Sequence, residues 1–436
     1  MPALAVTLGS FALILVLARL KVPLALAVLA GALAVGLLFG LLPNRDPAPM
    51  HRVLAEGVVQ PVSVCLVVIT ALLLGLSNTM RETGQLERIV DLTRAILRRP
   101  AIAMGALPAL VGLLPMPGGA LFSAPMVQAA AGRSETPPGR LSAINYWFRH
   151  IWEYWWPLYP GVVMAMGLTG RSLGEFAPTQ MPMSLFMIGG GLLLFRRTHS
   201  DLHAAAARPP AGTKRRLLRS TASIWLILLI WLAATSALRL LPESLRSDPL
   251  VKDLAKYLPL IVALILSLTW TTLAAGLKRG QLRDIWLSKR IFDLAALVLC
   301  FMVFQYTLEH LRAPEAIGEE LRARRVPLPL VVAMLPFISG FVTGLAIGFV
   351  GPSFPIVLGL VTATPGTGSV APWIALAYGF GHLGQMLSPL HVCQVVSNRF
   401  FGTTYAPVYR RILPAAAATA SGVVAYFAVL RYVVRM

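Results

Sequence analysis

YWFRHIWEYWWPLYP (146–160) and YGFGHLGQMLSPLHV (378–392) are two versions of one phrase. Set 232 residues apart, Tyr146 pairs with Tyr378, Phe148 with Phe380 and His150 with His382. Glu153 then pairs with Gln385, and Pro157-Leu158 with Pro389-Leu390. Each version puts a histidine, a carboxyl or amide, and a helix-breaking proline into an apolar stretch long enough to enter a bilayer. Such a phrase written twice predicts a site assembled from two halves of the chain.

The surrounding composition is that of a membrane protein. Of 436 residues, 57% are hydrophobic and 13% charged, with a mean hydropathy of +0.72. The apolar run from Ala3 to Ala18 has no basic residues before it and no soluble stretch behind it, so it is expected to be a first span and not a cleaved leader. Cys65, Cys300 and Cys393 are scattered through apolar segments with no CxxC and no local Cys/His cluster. Their spacing predicts small buried hydrophobes, with neither a disulfide framework nor a bound metal. The net charge of +20 falls in the connections, which excludes a nucleic-acid-binding face as its explanation.

Ten spans are expected, near 3–18, 22–42, 59–80, 141–168, 180–195, 221–241, 257–277, 290–310, 371–398 and 412–432. The connection 196–219 holds Arg196, Arg197, Arg208, Lys214, Arg215, Arg216 and Arg219 against Asp201. In 278–290, Lys278, Arg279, Arg283, Lys289 and Arg290 face only Asp284, and 399–411 carries arginines without an acid. The positive-inside rule puts these three connections in the cytoplasm, with Arg19 and Lys21. The balanced connections 43–58, 169–178 and 242–256 are assigned outside, with both termini.

This count closes only if two long apolar stretches broken by Gly and Pro, 101–131 and 327–361, return to the side they came from. They are expected to be re-entrant hairpins, the first dipping from the cytoplasm and the second from outside. LLPMPGGALFSAP (113–125) lies over FVTGLAIGFVGPSFP (341–355), matching Gly118 with Gly348, Ser123 with Ser353 and Pro125 with Pro355. The resulting fold class is an all-α polytopic membrane protein: about ten transmembrane helices plus two re-entrant helical hairpins in two inverted-topology repeats. Residues 1–200 form the first repeat, 201–220 a basic cytoplasmic linker, and 221–436 the second. The amphipathic stretches 81–99 and 311–326 read as surface helices leading to the hairpins. Interrupted segments at matching places in inverted halves point to a transporter site near the midplane, because lipid cannot satisfy the backbone groups they expose.

On these hairpins and broken spans the chain resembles the ion transporter superfamily, which holds dicarboxylate, citrate, gluconate and TRAP-type carriers. GHLGQMLSPLHVC (381–393) is similar to a family of ten-span prokaryotic membrane proteins of unassigned function. The resemblance implies a homodimer in the cytoplasmic (inner) membrane, with a scaffold and a transport domain that moves as an elevator. The sodium/dicarboxylate branch carries Ser-Asn-Thr at its hairpin tips. This sequence has Pro117-Gly118-Gly119 and Gly351-Pro352-Ser353 there instead.

Glu153 is the leading candidate for ion coupling, since a carboxyl deep in a span marks a proton, ion or substrate path. An ion pair with Arg149, one helical turn away, is the structural alternative. Gly348 joins Glu153 as an ion-coupling candidate through its backbone. The candidate substrate-binding residues are Pro117, Gly118, Gly119, Ser123, Arg149, His150, Gly351, Ser353, His382, Gln385, Ser388 and His391. Arg149 could neutralise an anion or extend to the cytoplasmic surface, and imidazoles suit proton transfer or hydrogen bonding between helices. His150-x-x-Glu153 alone does not make a metal site. The aromatic run Trp147, Trp152, Tyr154, Trp155, Trp156 and Tyr159 is compatible with an interfacial belt, scaffold packing or a pocket wall. GFGHLG (379–384) matches GxGxxG without a βαβ context and predicts close helix packing, not nucleotide binding.

These features predict a secondary active transporter of a small anionic organic solute, coupled to H⁺ or Na⁺ and using no cofactor or ATP site. The alternatives are a cation/proton antiporter and, in another class, an intramembrane enzyme acting on a lipid-linked substrate. Duplication of the polar residues weighs against the enzyme, whose catalytic set would be single.

Overall fold

The structure, a computed structural model, describes residues 3–40, 50–97, 99–113, 119–132, 136–195, 212–240 and 242–433. All regular structure among them is helical. Pro117, Gly118, Arg196, Arg197, Asp201 and Arg208 lie outside the described residues, as does the linker before Gly212.

Among the described residues, six helices are long and apolar enough to cross a bilayer: Pro61–Glu82, Leu173–Phe195, Leu254–Ala275, Arg279–His310, Ala346–Ala363 and Tyr405–Val433. A seventh arises if Thr213–Ser220 and Ala222–Leu238, bent by 58°, count together. Ten spans are expected; shorter apolar helices, Ala3–Arg19 and Leu24–Phe39, stand where the first two of them are placed. At 1.5 Å per residue a 17-residue helix rises about 25 Å, the lower limit for a span. Leu229, Leu232, Leu266, Trp270 and Leu273 point outward, giving the apolar exterior that a bilayer covers. The chain is a multi-pass, all-helical membrane protein.

Two boundaries differ from expectation because caps extend the helices. The span expected at 180–195 starts at Leu173, where Ser172 and Glu175 form a capping box. The one expected at 257–277 starts at Pro249, after Asp248 accepts the Val251 amide at 3.0 Å. A further helix, Met50–Val59, occupies part of the expected outer connection 43–58.

Each stretch expected to be a re-entrant hairpin holds two helices packed on one another, and one of the four, Ala346–Ala363, is itself long and apolar enough to cross a bilayer. Pro100–Gly112 packs against Ala120–Ala131, and Leu328–Thr343 turns at Gly344 into Ala346–Ala363. Both expected broken spans are also broken. Pro138–Phe148 is separated from Pro160–Thr169, and Ala371–Leu387 from Val392–Phe400. The far halves are exchanged: Val392–Phe400 packs on the first hairpin's Ala120–Ala131, and Pro160–Thr169 on the second hairpin's Ala346–Ala363. This exchange brings both breaks and both hairpin ends into one region of the core.

Leu328–Thr343 lies along nearly the full length of Ala371–Leu387. The glycines of GFGHLG make this possible. A β-carbon at Gly384 would collide with the Phe337 carbonyl, one at Gly381 with the Phe349 ring, and one at Gly340 with the Gly381 carbonyl. The motif is a packing device, as its sequence context predicts.

Candidate functional site

The first break consumes 149–159 in irregular turns. A helix end leaves carbonyls without partners, and in an apolar interior each must find a donor. The aromatic run provides them for the first hairpin. Trp152 Nε1 donates to the Ala109 carbonyl at 2.8 Å, Trp156 Nε1 to Leu113 at 2.9 Å, and the Tyr159 hydroxyl to Gly112. The C-terminal end of Pro100–Gly112 is thus held by three aromatic donors from the break. Trp147 Nε1 donates to the Met187 carbonyl and Trp155 Nε1 to Ser184 Oγ, tying the break to Leu173–Leu192. Of the three readings the sequence left open for these aromatics, scaffold packing is the one the geometry favours.

The second break is shorter, 388–391, and its carbonyls are capped by tyrosines. Tyr146, Tyr409 and Tyr405 hydroxyls donate to the Met386, Leu387 and Pro389 carbonyls at 3.0, 2.8 and 2.8 Å. Tyr146 crosses from the first half to do so. Its counterpart Tyr378 crosses the other way and donates to the Glu153 carbonyl at 2.8 Å.

Between the breaks sits Glu153, buried. Its Oε2 accepts Gln385 Nε2 at 2.8 Å, so the matched pair of the two phrases is in direct contact. His150 Nε2 stands 3.8 Å from Glu153 Oε1, and His382 Nε2 stands 3.8 Å from Oε2. The matched histidines therefore flank one carboxyl from two sides. His391 lies beyond, its ring 4.6 Å from that of His150 and 5.1 Å from that of Tyr146. Tyr154 covers His382 with ring centroids 4.2 Å apart. His150 Nε2 and Gln385 Oε1 are buried without a hydrogen-bond partner among the described residues. His382 Nε2 is likewise unpartnered there, and since most buried polar atoms are paired, two such imidazole nitrogens, each 3.8 Å from one carboxyl, mark a place where a ligand or ion can supply partners.

Arg149 is buried beside this cluster. Its Nη1 donates to Cys393 Sγ at 3.5 Å, and its guanidinium fills the space a side chain at Gly119 would need. Gly119 immediately precedes the helix Ala120–Ala131, and Cys393 is the second residue of Val392–Phe400. The guanidinium thus stands beside two helix N-termini, where backbone dipoles and a fixed positive charge act in the same sense on an anion.

Sequence-predicted residues separate into two groups. Gly119, Arg149, His150, Glu153, His382, Gln385, Ser388 and His391 come together around the breaks. Ser388 Oγ accepts the Leu390 amide at 3.2 Å, shaping the second break. Ser123 is near but structural: its Oγ donates to Asn145 Oδ1 at 2.6 Å, and Asn145 Nδ2 donates to Ser397 Oγ at 2.8 Å. The structure does not bring Ser353, Gly351 and Gly348 to the cluster. Ser353 donates to the Phe349 carbonyl of its own helix, Gly351 packs on the Phe301 ring, and the Gly348 carbonyl takes the Ser339 hydroxyl at 2.6 Å. The residue that carries the second hairpin to the site is Gly344, at φ 65°, where a β-carbon would lie 3.0 Å from both the His391 nitrogen and Ser388 Oγ. Sequence reading missed Gly344, Asn145, Cys393 and Ser397. A glycine between two apolar hairpin arms was the available signal for Gly344, whereas the other three acquire meaning only from contacts between halves.

The fold is similar to that of a solved transporter. The crystal structure of the Alcanivorax borkumensis YdaH transporter, described as having an unusual topology, superposes with a TM-score of 0.58 over 87% of each chain, at 16% sequence identity. The chain belongs to the family described as Protein of unknown function (DUF401), whose model matches residues 3–234 and 249–430. No curated protein sequence matches it.

Proposed function

We propose that this chain is a secondary transporter of a small anionic organic solute, with Glu153 carrying the coupled proton or binding the coupled cation. The observation that carries the reading is the contact between Glu153 and Gln385, matched residues of two broken helices, with buried Arg149 beside them. A carboxyl placed between two breaks, flanked by imidazoles, can exchange a proton or a small cation without leaving the membrane interior. Arg149 and the helix N-termini at Gly119 and Val392 are the groups that would neutralise the solute's anionic head. The shared fold with a transporter supports this reading, as do the exchanged far halves of the broken helices.

The same proposal includes membership of the ion transporter superfamily, two inverted repeats with both termini outside, and a homodimer in a prokaryotic inner membrane. The hairpins and breaks would move as one body in elevator fashion, coupled to H⁺ or Na⁺. Binding a cation directly at Glu153 would make the protein a cation/proton antiporter, and the same experiment separates the two. In proteoliposomes, Glu153→Gln is expected to remove the pH dependence of solute uptake while leaving a monodisperse protein. Unchanged pH dependence would sink the coupling role of Glu153. Cation-driven proton flux that needs no organic solute would replace the solute transporter with the antiporter. Turnover of a lipid-linked substrate in detergent, with no gradient, would favour an enzyme.

A further inference from the structure

His150 belongs to the first break, His391 to the second, and Cys393 to the first turn of the helix Val392–Phe400 that follows it. Although 241 and 243 residues separate His150 from them in sequence, their ligand atoms all lie within 4.8 Å of one another and all three residues are buried. The orientation of the rings adds to the proximity. His150 Nδ1 is 2.6 Å from the Tyr146 carbonyl, and His391 Nδ1 is 3.3 Å from the Gln385 carbonyl. A carbonyl can only accept, so each Nδ1 carries the proton and each Nε2 presents a lone pair. Metal-ligating histidines are fixed in this way, by a backbone carbonyl on the far nitrogen. His150 Nε2 has no hydrogen-bond partner among the described residues. Glu153 Oε1, 3.8 Å from that nitrogen, is within reach as a fourth donor.

We propose that His150, His391 and Cys393, with Glu153 completing the set, bind a zinc-class divalent transition-metal ion. Two imidazoles, a thiolate and a carboxylate suit a four-coordinate ion of borderline softness, and not Mg²⁺ or Ca²⁺, which take oxygen ligands. The charges close locally. The thiolate and the carboxylate offset the dication, and the Cys393 proton is released to solvent as the Zn–S bond forms. Arg149 Nη1 can go on donating to Cys393 Sγ once it is a metal-bound thiolate. The metal site stands whether or not the chain transports an anionic solute.

The test uses the purified full-length protein in detergent, stripped with a chelator and titrated with Zn²⁺, Co²⁺ and Mg²⁺. Zn²⁺ and Co²⁺ are expected to bind at one equivalent and Mg²⁺ not at all. Bound Co²⁺ should show a tetrahedral visible spectrum with a thiolate-to-metal charge-transfer band. Cys393→Ser should abolish that band and weaken Zn²⁺ binding at least about tenfold, the lower end of what even an outer-shell partner contributes. His391→Gln should weaken binding by a similar factor. X-ray absorption on the zinc-loaded wild type avoids dependence on variants that fail to fold. A sulfur scatterer at about 2.3 Å supports the site. A zinc shell of light atoms only, an octahedral cobalt spectrum, or no binding at one equivalent would each overturn it.

Discussion

The two hairpins are held in place by different physics, although the phrases that hold them share their key residues. The first is held by donors: Trp152, Trp156 and Tyr159 reach from the break to the Ala109, Leu113 and Gly112 carbonyls. The second is held by proximity, with Gly340, Gly381 and Gly384 letting two helix backbones touch. The breaks differ accordingly. In the first half the helix stops at Phe148, before His150. In the second it runs on past His382 and Gln385 to Leu387. The donors Trp152, Trp156 and Tyr159 sit in irregular backbone, whereas the packed glycines Gly381 and Gly384 sit in a continuous helix. The shared residues Glu153 and Gln385 meet despite these unequal settings, which separates what the site requires from what each half uses to build it.

The strongest way to break this comparison is Gly384→Leu. Its side chain would have to occupy the space of the Phe337 backbone, which cannot retreat as a flexible side chain can. The expected cost exceeds the roughly 1–3 kcal/mol of ordinary overpacking, read as loss of monodisperse protein or a large fall in Tm. A variant as stable as wild type would show that the second hairpin is not held by contact.

A swap addresses the matched pair next. Glu153→Gln combined with Gln385→Glu moves the carboxyl across the contact while keeping one acid and one amide. If position between the breaks is what matters, the double variant should regain pH-dependent transport that Glu153→Gln alone loses. Failure to regain it would assign the role to the groups around residue 153, His150 and Arg149 above all.

Trp156→Phe leaves the Leu113 carbonyl without its donor. Losing this part-buried hydrogen bond costs about 0.5–1.5 kcal/mol, and the lost volume of the buried indole adds to this, so a clear drop in Tm is expected. No change would mean that the first hairpin does not depend on its aromatic donors. The smallest effect is expected from Tyr409→Phe, which uncaps the Leu387 carbonyl at a half-buried place. Its cost should fall in the range of about 0.5–1.5 kcal/mol for a single hydrogen bond. A larger loss would show that the second break, too, relies on donors.

Much of the architecture was legible because a bilayer imposes simple rules on sequence. Apolar run lengths gave the helical membrane class but ten spans where six or seven helices are long enough to cross, and Gly and Pro in over-long runs marked both helix pairs and both breaks. The duplicated phrase picked out His150, Glu153, His382 and Gln385, and the structure gathers these four. Motif overlay between the hairpins was a poorer guide. It matched Ser123 with Ser353 and Gly118 with Gly348, yet Ser353 and Gly348 serve their own helix and hairpin, and Gly118 lies outside the described residues. Gly and Pro recur in such segments for backbone reasons, so their alignment says little about which side chain faces a ligand.

The sequence by itself determined that this is a helical membrane protein with an interrupted, twice-written polar phrase, because hydropathy, proline and buried charge act locally and within one segment. Only the tertiary structure decided that Glu153 touches Gln385, that Arg149 stands between Gly119 and Cys393, and that His150, His391 and Cys393 converge. Those contacts follow from the exchange of helix halves between the two broken helices. That exchange is set by packing between residues more than 170 positions apart, where no local pattern can register it.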